Sequence, residues 1–262
     1  MINIKLAREV AKIAKDAGAA ILKIYNEADD IQIQQKDDNS PLTVADKTAN
    51  DIICKELNQL GVQFPIISEE NKMVETEVRQ KYDYYWLVDP LDGTKEFIKK
   101  NGEFTVNIAL IHQNQSILGV VYAPVLNEMY LAVKDEGAYL EKDGQEIELS
   151  AKYFALSDPE LGVVCSRSHL NEPTESFIKK LNEPNLVATG SSLKFLILAK
   201  GAAHVYPRLA PTMEWDTGAA QIILEEAGGK VINNETGKPL LYNKDDLRNP
   251  HFIAYGGLVA AE

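Results

Sequence analysis

The sequence predicts a mixed α/β chain of the α+β kind, with helices and sheets packed in layers. Three observations carry that expectation. Residues 3–60 hold two amphipathic helical patterns. Residues 105–149 hold successive short apolar runs separated by turn residues, as an antiparallel meander requires. Beyond about residue 157, short strand-like runs alternate with helical ones. That change of texture divides the chain into an N-terminal α+β half, 1–157, and a C-terminal α/β half, 158–262. No linker, repeat or low-complexity tract separates them, so they are expected to pack tightly around a cleft.

The elements follow in order. Leu6, Val10, Ile13, Ala17, Ile21 and Ile24 recur every three or four positions, which predicts a helix over roughly 3–27. The polar stretch 34–41 reads as a mobile loop. Thr43 starts a second helix, and Thr43 and Asp46 have the spacing of a capping arrangement with Asp in place of Glu. Ala49, Ile52, Ile53, Leu57 and Leu60 give its apolar face, and Gly61 stops it. Runs at 65–68 and 84–88 read as buried strands that end at Glu69-Glu70 and at Asp89. Strand-like runs follow at 105–111, 117–123 and 128–133. Two more, 137–141 and 146–149, flank Lys142-Asp143-Gly144, where Asp-Gly signals a hairpin. In the second half, strands are expected near 163–166, 186–189, 204–206, 230–232 and 251–255. Helices are expected over 173–181, 191–200 and 215–227, the last stopped by Gly228-Gly229.

Composition narrows the function. The 262 residues are 45% hydrophobic and 25% charged, which suits a folded globular chain. Lys and Arg total 27 against 39 Asp and Glu, a net charge of −12, and no basic stripe marks a nucleic-acid partner. A phosphorylated small molecule stays compatible with that acidity, because a bound metal inverts the local field. Cys54 and Cys165 make no disulfide framework, and reduced thiols suit the cytoplasm. No run approaches the ~18 apolar residues of a membrane span. Charges from Lys5 to Asp16 interrupt any signal-peptide core.

The chemistry concentrates in Asp89-Pro90-Leu91-Asp92-Gly93-Thr94. Pro90 fixes a turn, so Asp89 and Asp92 can face one point at a strand end. The Leu91 carbonyl offers a further oxygen, and Gly93 lets the backbone approach a ligand. Thr94 opens a short helix whose backbone N–H groups suit a phosphate. Hard oxygen ligands of this kind suit magnesium. Such a fragment alone is equally a turn with helix caps. Asp46, Glu69-Glu70 and Asp216 also stand at element ends, and together they fit a carboxylate-lined metal site.

Trp86–Thr94, and Glu214–Ala220 running on to Glu226–Gly229, resemble the two signature motifs of the inositol monophosphatase superfamily. The resemblance implies an αβαβα layered fold and a magnesium-dependent, lithium-sensitive phosphatase. Segments 94–110 and 190–195, Tyr206-Pro207-Arg208 and Pro211-Thr212 are similar to one branch of it, the bacterial 3′(2′),5′-bisphosphate nucleotidases. These hydrolyse 3′-phosphoadenosine 5′-phosphate (PAP), a by-product of sulfate assimilation, to AMP and phosphate. On that resemblance Glu69, Asp89, Asp92, Asp216 and the Leu91 carbonyl hold two magnesium ions, with room for a weaker third. Asp46 and Thr94 orient and deprotonate the attacking water. The Gly93 and Thr94 amides hold the scissile phosphate, and Glu69 and Asp216 also count among the substrate-binding residues. Ser191, Lys194 and Arg208 read the nucleotide and its second phosphate, with His169 a further candidate for the nucleoside. Relatives can attach peripherally to the inner membrane, although this acidic chain has no polybasic or lipid anchor. Gly218 stands where related chains commonly have Ala, a change the first turn of a helix tolerates. Two rival readings stay open. One is a phosphatase for inositol or sugar phosphates with the same centre. The other is a non-catalytic binder of metal and phosphate.

Overall fold

A computed structural model describes residues 2–27, 33–35, 41–165 and 171–259. The helical period at the N-terminus becomes α1 (Ile4–Glu27), with Leu6, Val10, Ile13, Ala17 and Ile21 buried along one face. The stretch read as a loop begins and ends in strand. Here β1 (Ile33–Gln35) pairs antiparallel with β2 (Pro41–Thr43), and positions 36–40 lie outside the described residues. Backbone pairing needs no apolar side chains, so a polar composition concealed it. Thr43 is the N-cap of α2 (Val44–Leu57), and its capping box with Asp46 is formed as the spacing predicts.

A sheet then grows by neighbour addition. β3 (Ile66–Ser68) is followed by a helical turn, α3 (Thr76–Arg79), and by β4 (Tyr84–Asp92). After the short α4 (Thr94–Ile98) come β5 (Thr105–His112), β6 (Gln115–Ala123), β7 (Glu128–Val133), β8 (Ala138–Lys142) and β9 (Gln145–Glu148). Their order is β3-β4-β5-β6-β7-β8-β9, with β3 parallel to β4 and every other pair antiparallel. Asp143 and Gly144 turn the last hairpin with φ of 52° and 76°, as Asp-Gly predicts. Both faces of the central strands are covered, so they read as continuous apolar runs. Alternate residues nonetheless part cleanly. Trp86, Val88, Val106, Ile108, Leu110, Leu118 and Val120 pack with α1 and α2, whereas Tyr85, Leu87, Ala109, Ile111 and Val121 face the opposite core.

The second half supplies that opposite core. β10 (Tyr153–Phe154), β11 (Gly162–Cys165), α5 (Glu172–Ile178), β12 (Asn185–Ala188), α6 (Leu193–Ala199) and β13 (Val205–Arg208) precede a 3-10 turn, Glu214–Asp216. Then come α7 (Gly218–Glu226), β14 (Lys230–Asn233), β15 (Phe252–Tyr255) and β16 (Gly257–Leu258). The expected helix from Trp215 thus starts as the 3-10 turn and becomes α-helical only at Gly218. Five strands order as β12-β11-β13-β15-β14. Leu196, Leu198, Ile222 and Ile223 of α6 and α7 share one core with Tyr85 and Leu87 on one side and Val164, Tyr206 and Phe252 on the other. Phe177 of α5 packs beyond, against Val205 and Ile253. The layers are therefore α1–α2, large sheet, α6–α7, smaller sheet and α5, the αβαβα stack. Gly119 lets α7 press onto β6, because a Cβ there would lie 2.2 Å from the Ala219 carbonyl oxygen.

Candidate active site and metal centre

Pro90 does not make a turn. β4 continues through it to Asp92, and the register against β5 shifts between Asp89, opposite Asn107, and Asp92, opposite Thr105. Three steps on one strand oppose two on the other, which is a bulge. In a regular strand, residues three apart face opposite sides. The extra residue corrects the phase, so both carboxylates reach the same cavity, and Pro90 is tolerated because a bulge asks for no ladder bond there. Asp89 Oδ1 accepts the Leu91 N–H at 3.1 Å. Gly93 follows with φ +95°, a conformation L side chains rarely adopt, and caps α4. A Cβ at Gly93 would lie 3.0 Å from the Glu103 carbonyl oxygen and 3.3 Å from Ser191 Cβ. The glycine thus serves the packing of its own loop as well as access for a ligand.

Asp46 arrives from the first turn of α2. Its Oδ2 accepts from Thr43 N and Oγ1 at 2.8 and 2.5 Å, and its Oδ1 accepts from Thr94 Oγ1 at 3.1 Å. Thr94 Oγ1 also lies 3.3 Å from the Leu91 carbonyl oxygen. Glu69 follows β3, and its N–H extends that pairing to Val88 O at 3.1 Å. Asp216 comes from the 3-10 turn, where its Oδ2 accepts the Met213 N–H at 2.9 Å. That turn is anchored from beneath. Fully buried Glu214 accepts from Asn243 N at 2.6 Å and from Lys244 N at 3.1 Å, with the Lys244 ammonium alongside.

Glu69, Asp89, Leu91, Asp92, Gly93, Thr94 and Asp216 line one cavity of about 410 Å3. Burial, then the charges of Glu69, Asp92, Asp216 and Asp46, push Asp89 well above the usual carboxylate range. Asp216 is pushed up to about 8, by burial and then by Asp92, against the Met213 N–H that stabilises its charge. Among the described residues, no three His, Cys, Asp or Glu side chains are already drawn into a metal grip. The donor set still fits a hard divalent ion. It is all oxygen, it converges from the end of β3, from β4 and from the 3-10 turn, and its like charges raise one another in a way that a bound divalent cation would relieve.

A second cavity, about 280 Å3, adjoins the first and shares Asp92, Gly93, Lys95, Glu96, Thr212 and Asp216 with it. Lys194 and Arg208 supply its positive wall. Lys194 is buried, donates to Ser191 O at 3.0 Å and stands over the Tyr206 ring. Burial lowers its pKa, and Arg208 adds to that while Asp92 opposes it. Arg208 Nη2 donates to Pro211 O at 3.0 Å, and its Nε is buried with no partner. Ser191 lines the same cavity, but its hydroxyl donates to Asp92 Oδ2 at 2.7 Å. The structure thus brings together Asp46, Glu69, Asp89, Leu91, Asp92, Gly93, Thr94, Ser191, Lys194, Arg208 and Asp216. His169 lies outside the described residues. Lys95 and Arg248 line the metal-side cavity without having been singled out from the sequence. Arg248 sits in no motif, and its loop is tied to the site by backbone bonds from Glu214 N to Leu247 O and from Asn249 N to Thr212 O.

This chain belongs to the inositol monophosphatase family, whose profile matches residues 5–260. It is an enzyme of the phosphatase class. Within that family it is 44% identical over 248 residues to the 3′(2′),5′-bisphosphate nucleotidase CysQ of Salmonella typhimurium, covering 94% of this chain and 98% of that one. The Escherichia coli K12 protein of the same name is 44% identical over 245 residues, covering 93% and 97%. The crystal structure of CysQ from Bacteroides thetaiotaomicron superposes with a TM-score of 0.83 at 42% identity, covering 97% of each chain. Inositol monophosphatase from Anabaena shares the fold, with a TM-score of 0.73 at 24% identity over 97% of this chain and 91% of that one. No helix among the described residues is long and apolar enough to cross a membrane.

Proposed function

We propose that the chain hydrolyses the 3′-phosphate of PAP, giving AMP and phosphate, in a magnesium-dependent reaction in the cytoplasm. One observation carries the reading: two joined cavities, the first lined by Glu69, Asp89, Asp92 and Asp216, the second adding Lys194 and Arg208 to the Asp92 and Asp216 it shares with the first. A metal-assisted phosphatase needs only the first. The second suits a substrate with another phosphate, since a guanidinium and an ammonium face it together, and both keep donors beyond the bonds to Pro211 O and Ser191 O. The names of the relatives support the same substrate.

Two magnesium ions, held by Glu69, Asp89, Asp92, Asp216 and the Leu91 carbonyl, would neutralise the phosphoryl oxygens and activate the attacking water. The chain's own groups do the rest. Thr94 commits its hydroxyl proton to Asp46, so its lone pairs face outward to accept a hydrogen bond from that water. Asp46, fixed by two bonds from Thr43, takes up the proton through Thr94. The Gly93 and Thr94 amides hold the scissile phosphate in line. Lys194 and Arg208 hold the 5′-phosphate end of the nucleotide, with Ser191 shaping the turn beside them, which fixes the 3′ end over the carboxylates. An inositol or sugar phosphatase would have no use for that basic wall.

A substrate panel tests the reading. Phosphate release would be followed on PAP, phosphoadenosine phosphosulfate, inositol 1-phosphate and fructose 1,6-bisphosphate, with magnesium or with chelator, and with and without lithium. The expected result is highest kcat/KM on the 3′-phosphonucleotides, no release in chelator, and inhibition by lithium. Equal kcat/KM on inositol 1-phosphate and PAP would sink the nucleotide assignment.

A further inference from the structure

We infer that Thr105 is a positioning residue that locks the metal-facing carboxylate Asp92 and the recognition turn Gly190–Lys194 into one unit. The inference rests on the functional reading above and extends it, because it makes cation binding and nucleotide binding interdependent.

Asp92 is oriented from a distant part of the chain. Its Oδ2 accepts from Ser191 Oγ at 2.7 Å, from Ser192 N at 2.6 Å and from Asn107 Nδ2 at 3.4 Å. Thr105 Oγ1 stands behind these donors, 2.6 Å from Ser191 Oγ and 2.7 Å from Ser192 Oγ. Thr105 is fully buried, and Asn107 and Ser192 nearly so, so water does not compete for these bonds.

The direction of the protons follows. A carboxylate only accepts, so the Ser191 proton points at Asp92. The Thr105–Ser191 contact, at 2.6 Å, then takes the Thr105 proton, which Asn107 Oδ1 shares from 3.1 Å. The Thr105–Ser192 contact takes the Ser192 proton, shared with Asn107 Oδ1 at 2.9 Å. Ser192, Thr105 and Ser191 therefore donate in series toward one charge, and each polarises the next. With Oδ2 saturated in this way, Oδ1 is the oxygen of Asp92 left to face a cation.

The same bonds shape the recognition turn. Ser191 is held at φ +54°, which a non-glycine residue adopts only when its surroundings fix it. Gly190 N donates to Glu103 Oε2 at 2.9 Å, and Lys194 Nζ donates to Ser191 O at 3.0 Å. A shift of Ser191 thus moves both the Lys194 ammonium and the Asp92 carboxylate. A nucleotide that settles the turn preforms Asp92 for the cation, and a cation on Asp92 preforms the turn for the nucleotide. Linkage makes the two effects equal.

Calorimetry on the full chain tests this with magnesium and AMP, which lacks the scissile phosphate. In the unsubstituted protein, saturating AMP should tighten magnesium about fivefold or more, and magnesium should tighten AMP by the same factor. Thr105→Val keeps the shape and removes the hydroxyl. It should weaken magnesium about tenfold or more and bring the coupling factor close to one. Thr105→Ser, which keeps the hydroxyl, should restore both. Magnesium affinity and coupling unchanged in Thr105→Val would overturn the inference. So would equal loss in the Ser and Val variants with equally lowered melting temperatures, since that marks a packing role. Normal PAP turnover in the parent protein alongside either result leaves the functional reading standing. A parent protein that binds neither magnesium nor AMP removes both.

Discussion

Glu69, Asp89 and Asp92 reach the site from adjacent strands of the large sheet, whereas Lys194 and Arg208 come from a helix and a strand in the other half of the chain. The acidic wall is set by backbone geometry. A bulge aims two carboxylates, a neighbouring strand end supplies a third, and the strand ladder forbids them to move apart. Burial, and then the repulsion among these charges, raises the proton affinity of Asp89 and of Asp216, which faces them from the 3-10 turn. The basic wall is set by side chains packed under a turn. Its charges are desolvated and partly unpaired, yet Asp92 favours the Lys194 charge across the cavity. Each wall thus partly compensates the other, and a substrate that is anionic at both ends, with cations beneath one of them, satisfies both.

The largest expected effect breaks the acidic wall. Asp89→Asn removes one metal-facing charge without changing shape. Because even supporting groups around a metal are worth about 10–100-fold, kcat should fall at least about a hundredfold, on PAP and on a simple monophosphate alike. The melting temperature of the metal-free protein should hold or rise, since a like-charge repulsion is gone. Phosphate release and a thermal melt check the two halves of that statement. Near-native turnover at saturating magnesium would remove Asp89 from the metal set.

Arg208→Ala strikes the basic wall alone. A lost bond to a charged group corresponds to about 1.5–3 kcal/mol, or roughly 10–150-fold in kcat/KM. That loss should fall on PAP, with inositol 1-phosphate turnover changed by less than about threefold. Parallel kinetics on the two substrates decide it, and an equal loss on both would dissolve the distinction between the walls.

Gly93 is where the walls meet, against Ser191 on one side and at the head of α4 on the other. Gly93→Ala must hold φ near +95° with a Cβ pressed on a carbonyl, which costs about 1–3 kcal/mol of stability. Denaturant unfolding measures it. A change below about 0.5 kcal/mol would mean that the loop rearranges at no cost.

The two walls also differ in how far the sequence reveals them. Asp89, Asp92 and their strand were legible because a short apolar run ended in a distinctive hexapeptide, α1 and α2 were legible from their period, and the end of α7 from Gly228-Gly229. The role of Pro90 was not, because proline signals a turn locally and only the pairing with Asn107 and Thr105 exposes a bulge. Thr105, Asn107 and Ser192 are neutral polar residues with no local pattern, and their work is done by bonds spanning 85 to 100 positions. The pairing of β1 with β2 was hidden for a similar reason, since backbone bonds leave no trace in a polar composition.

The smallest effect on turnover lies behind both walls, in α7. Glu225 is largely buried, accepts from Gln221 Nε2 at 2.9 Å, and is pushed up to about 7 by burial and then by Glu226, against the Gln221 bond that stabilises its charge. Its folded pKa is thus above the unfolded one, so the fold prefers the protonated form. The stability of the protein contributed by this group is full below the unfolded value near 4.5 and falls as pH rises to about 7. Glu225→Gln keeps the acceptor for Gln221 and carries no charge. At pH 8 it should therefore be more stable than its parent by about 3 kcal/mol, and at pH 5 by about 1 kcal/mol. Denaturant unfolding at the two pH values, both with saturating magnesium so that the site carboxylates cancel, measures the difference. Turnover on PAP should stay within about twofold, because Gln221 and Tyr242 stand between this carboxylate and the start of the helix at Thr217. A stability gain equal at pH 5 and pH 8 would show that Glu225 is charged in the fold throughout. A large loss of turnover would show that α7 transmits its charge state to Asp216, and the separation of the walls from their scaffold would have to be given up.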